Sequence, residues 1–306
     1  MRRDRTIAGV GRPTLELIGT AHRLPPPGHS AELLQFSVQG GGAVATALVA
    51  LLEWGYQCRL AGRVSNDAMG RLIREGFEFD GFDASGLVVV PGQVSPFSII
   101  TLQEATEMER TVLQTAGTLT PLFAGELRRG FSEGCDALLV DGSEPEAQIA
   151  AADEARRHDI PVLYDASEEG PRSRDLLALS NLLVASERFA AEVCPCSELR
   201  QSLHCLRDLG PRLVIVTMGK DGSLGLGEGD LVQQPIFGEI QPRERGGAGH
   251  VFFAGVAHGF VQGWDLARLI RFATAAAGLS CREIGARGGI PTLAETLALS
   301  GLTRDL

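Results

Sequence analysis

The sequence predicts an α/β protein: a central, mostly parallel sheet flanked by helices, with a small β-sheet outside the main body. Two observations predict it. From Asp136 to Thr217 short, apolar, β-branched runs alternate with helical stretches, the pattern of buried parallel strands joined by crossover helices. The N-terminal stretch to Val38 and the stretch Phe97–Gln114 read instead as strands and turns, which suits a separate small sheet. A chain of 306 residues, 44% hydrophobic and 22% charged, is long enough for one large α/β domain or two smaller ones, and residues 1–306 are assigned to one.

Leu15–Gly19 and Leu33–Val38 read as strands separated by the break Pro25-Pro26-Pro27-Gly28. Three glycines, Gly40 to Gly42, lead into an apolar, Ala-rich helix, Ala43–Trp54, which Gly55 stops. Cys58–Val64 is a strand, and Asn66-Asp67 opens a helix over Ala68–Phe77, with Asp67 suited to cap it. Phe97–Gln103 and Arg110–Gln114 flank Glu104–Glu107 as a hairpin, so residues of about 7–38 and 95–115 are assigned to the small sheet, a lid. Strand Ala137–Val140 precedes a helix from Glu144 to His158, Pro161–Tyr164 precedes the run Leu176–Leu179, and Asn181–Val184 precedes a helix near Glu187. Arg212–Val216 ends at Thr217, and an extended stretch, Leu231–Ile240, comes before an apolar helix, Val251–Val261.

The net charge of −10 argues against nucleic acid as the main partner, because no global positive field attracts a phosphate backbone. The best apolar run, Ala43–Leu52, is about half of the ~20 residues a bilayer requires. Arg2-Arg3 is followed by Asp4-Arg5-Thr6 and not by an apolar segment, so the chain reads as cytoplasmic, with no membrane contact. Six cysteines, Cys58, Cys135, Cys194, Cys196, Cys205 and Cys281, make no disulfide-dense framework and read as reduced, structural thiols. Cys194-Pro195-Cys196 is too tight for zinc-knuckle spacing, the histidines show no metal spacing, and no metal ligand is assigned.

Three glycine sites carry the chemistry. Gly40 to Ala45 fits G-x-G-x-x-A after an extended segment and before a helix; with Arg63 downstream it admits an NADP-type reading, and equally a tight turn that brings backbone close to another ligand. Thr217-Met218-Gly219-Lys220-Asp221-Gly222 follows a strand, where open α/β sheets bind ligands. Glu244-Arg245-Gly246-Gly247-Ala248-Gly249-His250 opens a helix, and Gly247, Ala248 and Gly249 place small residues where N–H groups at a helix start can face a phosphoryl group in flight. His250 then stands where an acceptor hydroxyl must lose its proton; a neutral imidazole with a pKa near ~6.5 is a competent base, and a helix-start residue without catalytic duty is the alternative.

Taken together, these residues resemble the PfkB, or ribokinase-like, carbohydrate kinase family. Gly41-Gly42-Ala43-Val44-Ala45-Thr46-Ala47 to Trp54-Gly55 is similar to its first glycine motif, and Gly62 to Gly70 follows its G-x-V-G-x-D-x-x-G continuation with Ser65 for a glycine. Thr217 to Gly222 is similar to T-x-G-x-x-G, and Glu244 to His250 aligns with D-T-x-G-A-G-D. The triple glycine with Thr46, Ala185-Ser186-Glu187, and Gly285 to Pro291 are closest to a ketohexokinase-like branch that includes sulfofructose kinases.

The resemblance implies a ribokinase-like sheet with a β lid over the sugar, dimers formed through the lid, and ATP- and Mg2+-dependent transfer of the γ-phosphoryl group to a hydroxyl of a small carbohydrate. It implies roles for His250, Gly247, Ala248 and Gly249 in catalysis, for Thr217, Gly219, Gly222 and Gly246 toward ATP, and for Gly41, Gly42, Thr46 and Asp141 toward the sugar. The departures are His250 for the Asp base, Glu244 and Arg245 for the motif's first Asp and Thr, Thr46 for an Asn, no early sugar-binding Asp within His22-Arg23-Leu24, and Ser186-Glu187-Arg188-Phe189 for N-x-x-E. They set beside the kinase a second expectation: a catalytically weak or silent protein of the same fold that binds nucleotide or sugar.

Overall fold

The computed structural model describes residues 5–106 and 108–303, so Arg2-Arg3 and Glu107 lie outside the described residues. The chain begins with β1 (Thr6–Val10), β2 (Thr14–Ala21), β3 (Gln35–Gly41), α1 (Ala43–Glu53), β4 (Gln57–Ser65), α2 (Ala68–Phe79) and β5 (Leu87–Val90). The hairpin β6 (Phe97–Gln103) and β7 (Glu109–Thr115) follows. Then strands and helices alternate: β8 (Ala137–Val140), α3 (Pro145–Arg157), β9 (Val162–Ala166), α4 (Ser173–Leu179), β10 (Leu182–Ser186), α5 (Glu187–Val193), α6 (Leu199–Asp208) and β11 (Leu213–Thr217). The last part holds β12 (Ser223–Leu226), β13 (Leu231–Gln234), α7 (Ala248–Val261), α8 (Leu266–Ser280) and α9 (Leu293–Ser300).

A nine-stranded sheet has the order β13-β12-β11-β10-β9-β8-β1-β4-β5, and β3-β2-β6-β7 form a separate four-stranded sheet. From β11 to β5 every pairing is parallel; β12 and β13 close one edge antiparallel. The core explains the continuous apolar strands. Leu139, Leu163 and Ile215 pack with α1, α7 and α8 on one face, while their neighbours Leu138, Val162 and Val214 pack with α3 to α6 on the other. Leu138 and Leu139 are both fully buried. Each such burial is worth about 1.5–3 kcal/mol, more than the ~1 kcal/mol spanned by strand propensities, so burial on two faces decides the element.

The order of chain use reverses between β1 and β8. After β1 the chain builds outward through β4 and β5, then returns to β8 on the other side of β1 and continues to β13. Ligands of open α/β sheets bind at the carboxyl ends of the strands, at such a reversal.

Several boundaries differ from expectation. The lid expected over about 7–38 is shorter, because Thr6–Val10 pairs with β4 and β8 in the large sheet. The extended stretch Leu231–Ile240 is a strand only to Gln234; Pro235 lacks the N–H needed to continue a ladder. Helix α7 starts at Ala248, not Val251, with Gly247 as its N-cap at φ 76°. The cysteines do not all stay reduced: Cys194 and Cys205 form a disulfide joining the end of α5 to α6, while Cys58, Cys135, Cys196 and Cys281 are free. Asp67 does cap α2, accepting from Gly70 N at 2.8 Å, and its carboxyl is held below the usual range: hydrogen bonds from Ser95 and Gly70 outweigh partial burial, which acts the other way.

Candidate active site

Four strand ends and one helix start build the site. Gly11 follows β1, Asp141 follows β8, Asp165 lies near the end of β9, and Thr217 ends β11; the first turn of α7 lies over this edge. The glycines Gly40 and Gly41 end β3, and Gly42, at φ 93°, begins α1. A Cβ on Gly42 would stand 2.3 Å from the Arg12 carbonyl oxygen, and one on Gly41 would stand 2.6 Å from Thr14 Oγ1 and 2.8 Å from Glu16 Oε1. At Gly42, a positive φ and a backbone oxygen in the Cβ direction require glycine.

The expected sugar contacts are therefore placed unequally. Gly41 and Gly42 flank the Thr14–Glu16 edge of the lid. Asp141 sits at the helix start, accepting from Val44 N at 3.3 Å, Ser143 N at 3.0 Å and Gln148 Nε2 at 2.8 Å. Thr46 is fully buried, and its hydroxyl lacks a hydrogen-bond partner among the described residues. Arg63, considered above for an NADP-type site, is buried and bound to Glu126 and to the Thr120 carbonyl oxygen, so it is not available to a 2′-phosphate.

A cavity of about 410 Å³ joins the two late glycine turns: Thr217, Gly219 and Gly222 line one side, and Ala248, Gly249 and Phe252 the other. Ile236, Phe237 and Ile240 add an apolar wall, and Lys220 and Arg245 supply positive charge. Gly222 (φ 88°) has no room for a side chain, since a Cβ would stand 2.1 Å from the Gln234 carbonyl oxygen. Nothing lies within 4 Å of the Cβ direction of Gly249, which opens to this space.

Gly246 departs from the expected nucleotide set. Its N–H is bound by Glu244 Oε1, and its Cβ direction is filled by Arg110 and Glu244 side chains. The second Glu244 oxygen accepts from Gly285 N at 3.1 Å, and Arg110 of β7 lies 3.6 Å away, so this buried carboxylate ties the lid and the α7 entry together. Among the remaining amides, Ala248 N reaches the Arg245 carbonyl and His250 N that of Gly247, while Gly247 N and Gly249 N have no acceptor among the described residues.

His250 turns away from that cavity toward carboxylates. Its Nδ1 is buried, 3.5 Å from Asp165 Oδ2, and the side chain as a whole is 35% exposed. Burial opposes a charged ring, but Asp165, then Glu16 and Asp141, outweigh it and raise the imidazole above its ordinary range. Burial also raises the Asp165 carboxyl, against the pull of His250. Both groups therefore hold a proton more strongly than they do in water. Glu16 is likewise raised, by burial above all, with Arg110 and His250 opposing.

Glu16, Arg110 and Asp165 were not among the residues singled out from the sequence. Two signals were available: Glu16 is an acid at an alternate position of an otherwise mostly apolar strand, and Asp165 is an acid near the carboxyl end of a parallel strand. No group of three or more His, Cys, Asp and Glu among the described residues has the geometry to hold a metal. No helix among them is long and apolar enough to cross a membrane.

Residues 4–293 match the model of the pfkB family of carbohydrate kinases. The chain belongs to that family. It is similar to a ribokinase of Bacillus subtilis, 26% identical over 289 residues, covering 94% of this chain and 97% of that one. A nucleoside kinase of Methanothermobacter thermautotrophicus is 24% identical, covering 97% and 96%. The solved structure of Arabidopsis thaliana ribokinase with ribose and ATP superposes with a TM-score of 0.82 at 21% identity, covering 98% of this chain and all of that one. The fold is thus ribokinase-like, a large mostly parallel sheet with flanking helices and a small separate sheet.

Proposed function

We propose that this protein is an ATP-dependent sugar kinase that transfers the γ-phosphoryl group to a hydroxyl of a small carbohydrate, with His250 as the base. One observation carries the reading: the turn Thr217–Gly222 and the helix start Ala248–Gly249 share a cavity, and the next residue, His250, faces Asp165 with Glu16 and Asp141 nearby. The apolar wall of Ile236, Phe237 and Phe252 accepts a flat base, and Lys220 and Arg245 balance phosphate charge. The unpaired N–H groups of Gly247 and Gly249, at the positive end of α7, are aimed where charge develops on the transferring group. A magnesium ion, carried chiefly by the nucleotide phosphates and water because no three-ligand cage exists among the described residues, supplies further charge neutralisation. Glu16 and Asp141, with Gly41 and Gly42, face the sugar.

The test is incubation with MgATP and a panel of ketoses, aldoses and nucleosides, followed by detection of phosphorylated product; ketoses belong in it because of the triple glycine with Thr46. Product from at least one acceptor is expected, and none from any overturns the reading. A second reading, binding without turnover, draws on the raised proton affinity of His250, since a protonated ring accepts no proton. Calorimetry separates the two: heat of nucleotide or sugar binding with no product supports the silent protein.

The same proposal includes a homodimer through the lid. Val38, Leu17, Ile99 and Leu113 are paired in register across all four strands and therefore share one face, opposite Glu16 and the buried Ile18 and Ile100. Val38, Ile99 and Leu113 are exposed, and a second copy is the occupant the proposal assigns to them. Light scattering at twice the chain mass, reduced to one by Leu113→Asp, is the expected result. A cytoplasmic location, where ATP is abundant, goes with this reading.

A further inference from the structure

We propose that Asp165 is the positioning residue of the base: it holds the His250 ring by Nδ1 and leaves Nε2 to take the proton of the acceptor hydroxyl. The proposal rests on the kinase reading above and deepens it. Asp165 comes from β9 and His250 from the first turn of α7, so two rigid elements meet at this pair. The Nδ1 atom is buried with no formed hydrogen bond, and the Asp165 carboxylate, 15% exposed, is the group it faces at 3.5 Å. The separation is long for a hydrogen bond, as is common in ligand-free sites whose contacts tighten around substrate. With Nδ1 occluded and the side chain 35% exposed, the proposal assigns the accessible part of the ring to the edge that carries Nε2.

A carboxylate on one imidazole nitrogen does two things. It fixes the tautomer, with the proton on Nδ1 and the lone pair on Nε2, and it stabilises the imidazolium that forms. In the transfer step the acceptor oxygen forms its bond to the γ-phosphorus as the bond from that phosphorus to the β,γ-bridging oxygen breaks. The acceptor's proton passes to Nε2, Asp165 remains ionised, and the ring later returns the proton to water. The other charged groups facing the ring are Glu16 of β2 and Asp141 beyond β8; Glu16 in turn faces Arg110 of β7, Glu244 and Arg287. These acids favour the protonated ring, so the base form dominates only above the ordinary imidazole pKa of 6.5.

Asp165→Asn tests the pair in the full-length protein. Two measurements are made: NMR titration of His250 without ligand, and the pH dependence of kcat with MgATP and the acceptor among D-fructose, D-ribose and adenosine that turns over fastest. In the variant the His250 titration and the acidic limb of kcat both move to lower pH, by about one pH unit, because the nearest opposite charge is gone. The plateau kcat falls by ~10²-fold, the lower end of general-base effects, while the KM for ATP is unchanged. Loss of the charge alone moves the titration, so the fall in plateau kcat is what reads the positioning role, and a plateau left unchanged overturns it. His250→Gln serves as control and abolishes the limb. An active wild type whose limb and titration stay in place in Asp165→Asn overturns the pair and spares the kinase. A wild type that turns over none of the three acceptors, nor any other sugar or nucleoside tried, overturns the kinase reading, and the catalytic role of Asp165 falls with it.

Discussion

The two halves of the site are made of different material. The cavity proposed for the donor is shaped by backbone: Gly219, Gly222 and Gly249 with an apolar wall, where the absence of side chains leaves the space open. The side proposed for the acceptor is made of charged side chains, Glu16, Asp165, His250 and Arg110, brought from the small sheet, the central sheet and α7. Backbone sites tolerate changes around them as long as the glycines stay. A charged cluster must change in concert, because each group sets the protonation of the next. The residue that departs most from the family motif, His250, accordingly lies among acids that suit a cation, and Glu244 is held by Gly246 N, Gly285 N and Arg110 in a bracing role.

The sharpest way to break this comparison is His250→Gln. Loss of base assistance lowers kcat by ~10²–10⁴-fold, about 3–5 kcal/mol, and leaves the KM for ATP within twofold if the halves are separate. Steady-state kinetics with both substrates varied reads this out.

Next come two glycines of one turn that fail in different ways. Gly247 has φ 76°, and a Cβ there would stand 2.4 Å from Ala286 Cβ and 2.5 Å from its Cα. Gly247→Ala costs about 1–3 kcal/mol of folding stability in urea titration, from a left-handed conformation joined to a backbone clash. Gly249→Ala has open space, so stability is kept or rises by up to ~1 kcal/mol from helix propensity, while the KM for ATP rises. Equal stability losses at the two positions refute the division.

Glu16→Gln acts on the acceptor side alone. Hydrogen bonds to a charged group are worth about 1.5–3 kcal/mol, so the acceptor KM rises ~10-fold or more with the KM for ATP constant. The smallest effect is on stability against pH. The folded-state pKa of His250 lies above 6.5, so the ring stabilises the fold below that pH and the contribution disappears as pH rises through the folded value. Urea midpoints of wild type and His250→Gln therefore approach each other from pH 6 toward pH 8. A gap that widens instead contradicts the carboxylate cage.

The same contrast governs what was legible in the sequence. The parallel strands announce themselves as apolar runs because both of their faces are buried, and the glycine turns stand out because no other residue fits them. Asp165 and Glu16 do not stand out: an acid at a strand end or at an alternate strand position has many uses, and only the meeting of β2, β9 and α7 in space gives these two a common object. Gly246 shows the reverse. It lies inside a glycine motif, but its N–H is taken by Glu244, a partner that the glycine pattern alone does not reveal. The disulfide is not legible because Cys194 follows the end of α5 and Cys205 lies in α6, and their meeting depends on how α5 packs on α6. Helices α8 and α9 carried usable start signals, Asp265 accepting from Arg268 N and the capping box of Thr292 and Glu295, which apolar periodicity alone does not weigh.

The lid strands bear a different message on each side. Odd-numbered positions of β2 point one way and even-numbered positions the other, so Leu17 shares a face with its register partners Val38 and Ile99 while Glu16 and Ile18 lie on the opposite face. Slippage of β2 by a single residue would exchange its two faces, carrying Glu16 away from His250 and putting an apolar side chain in its place. Insertions or deletions in these strands are tolerable only in pairs, which makes the lid a ruler that calibrates two surfaces with one set of marks.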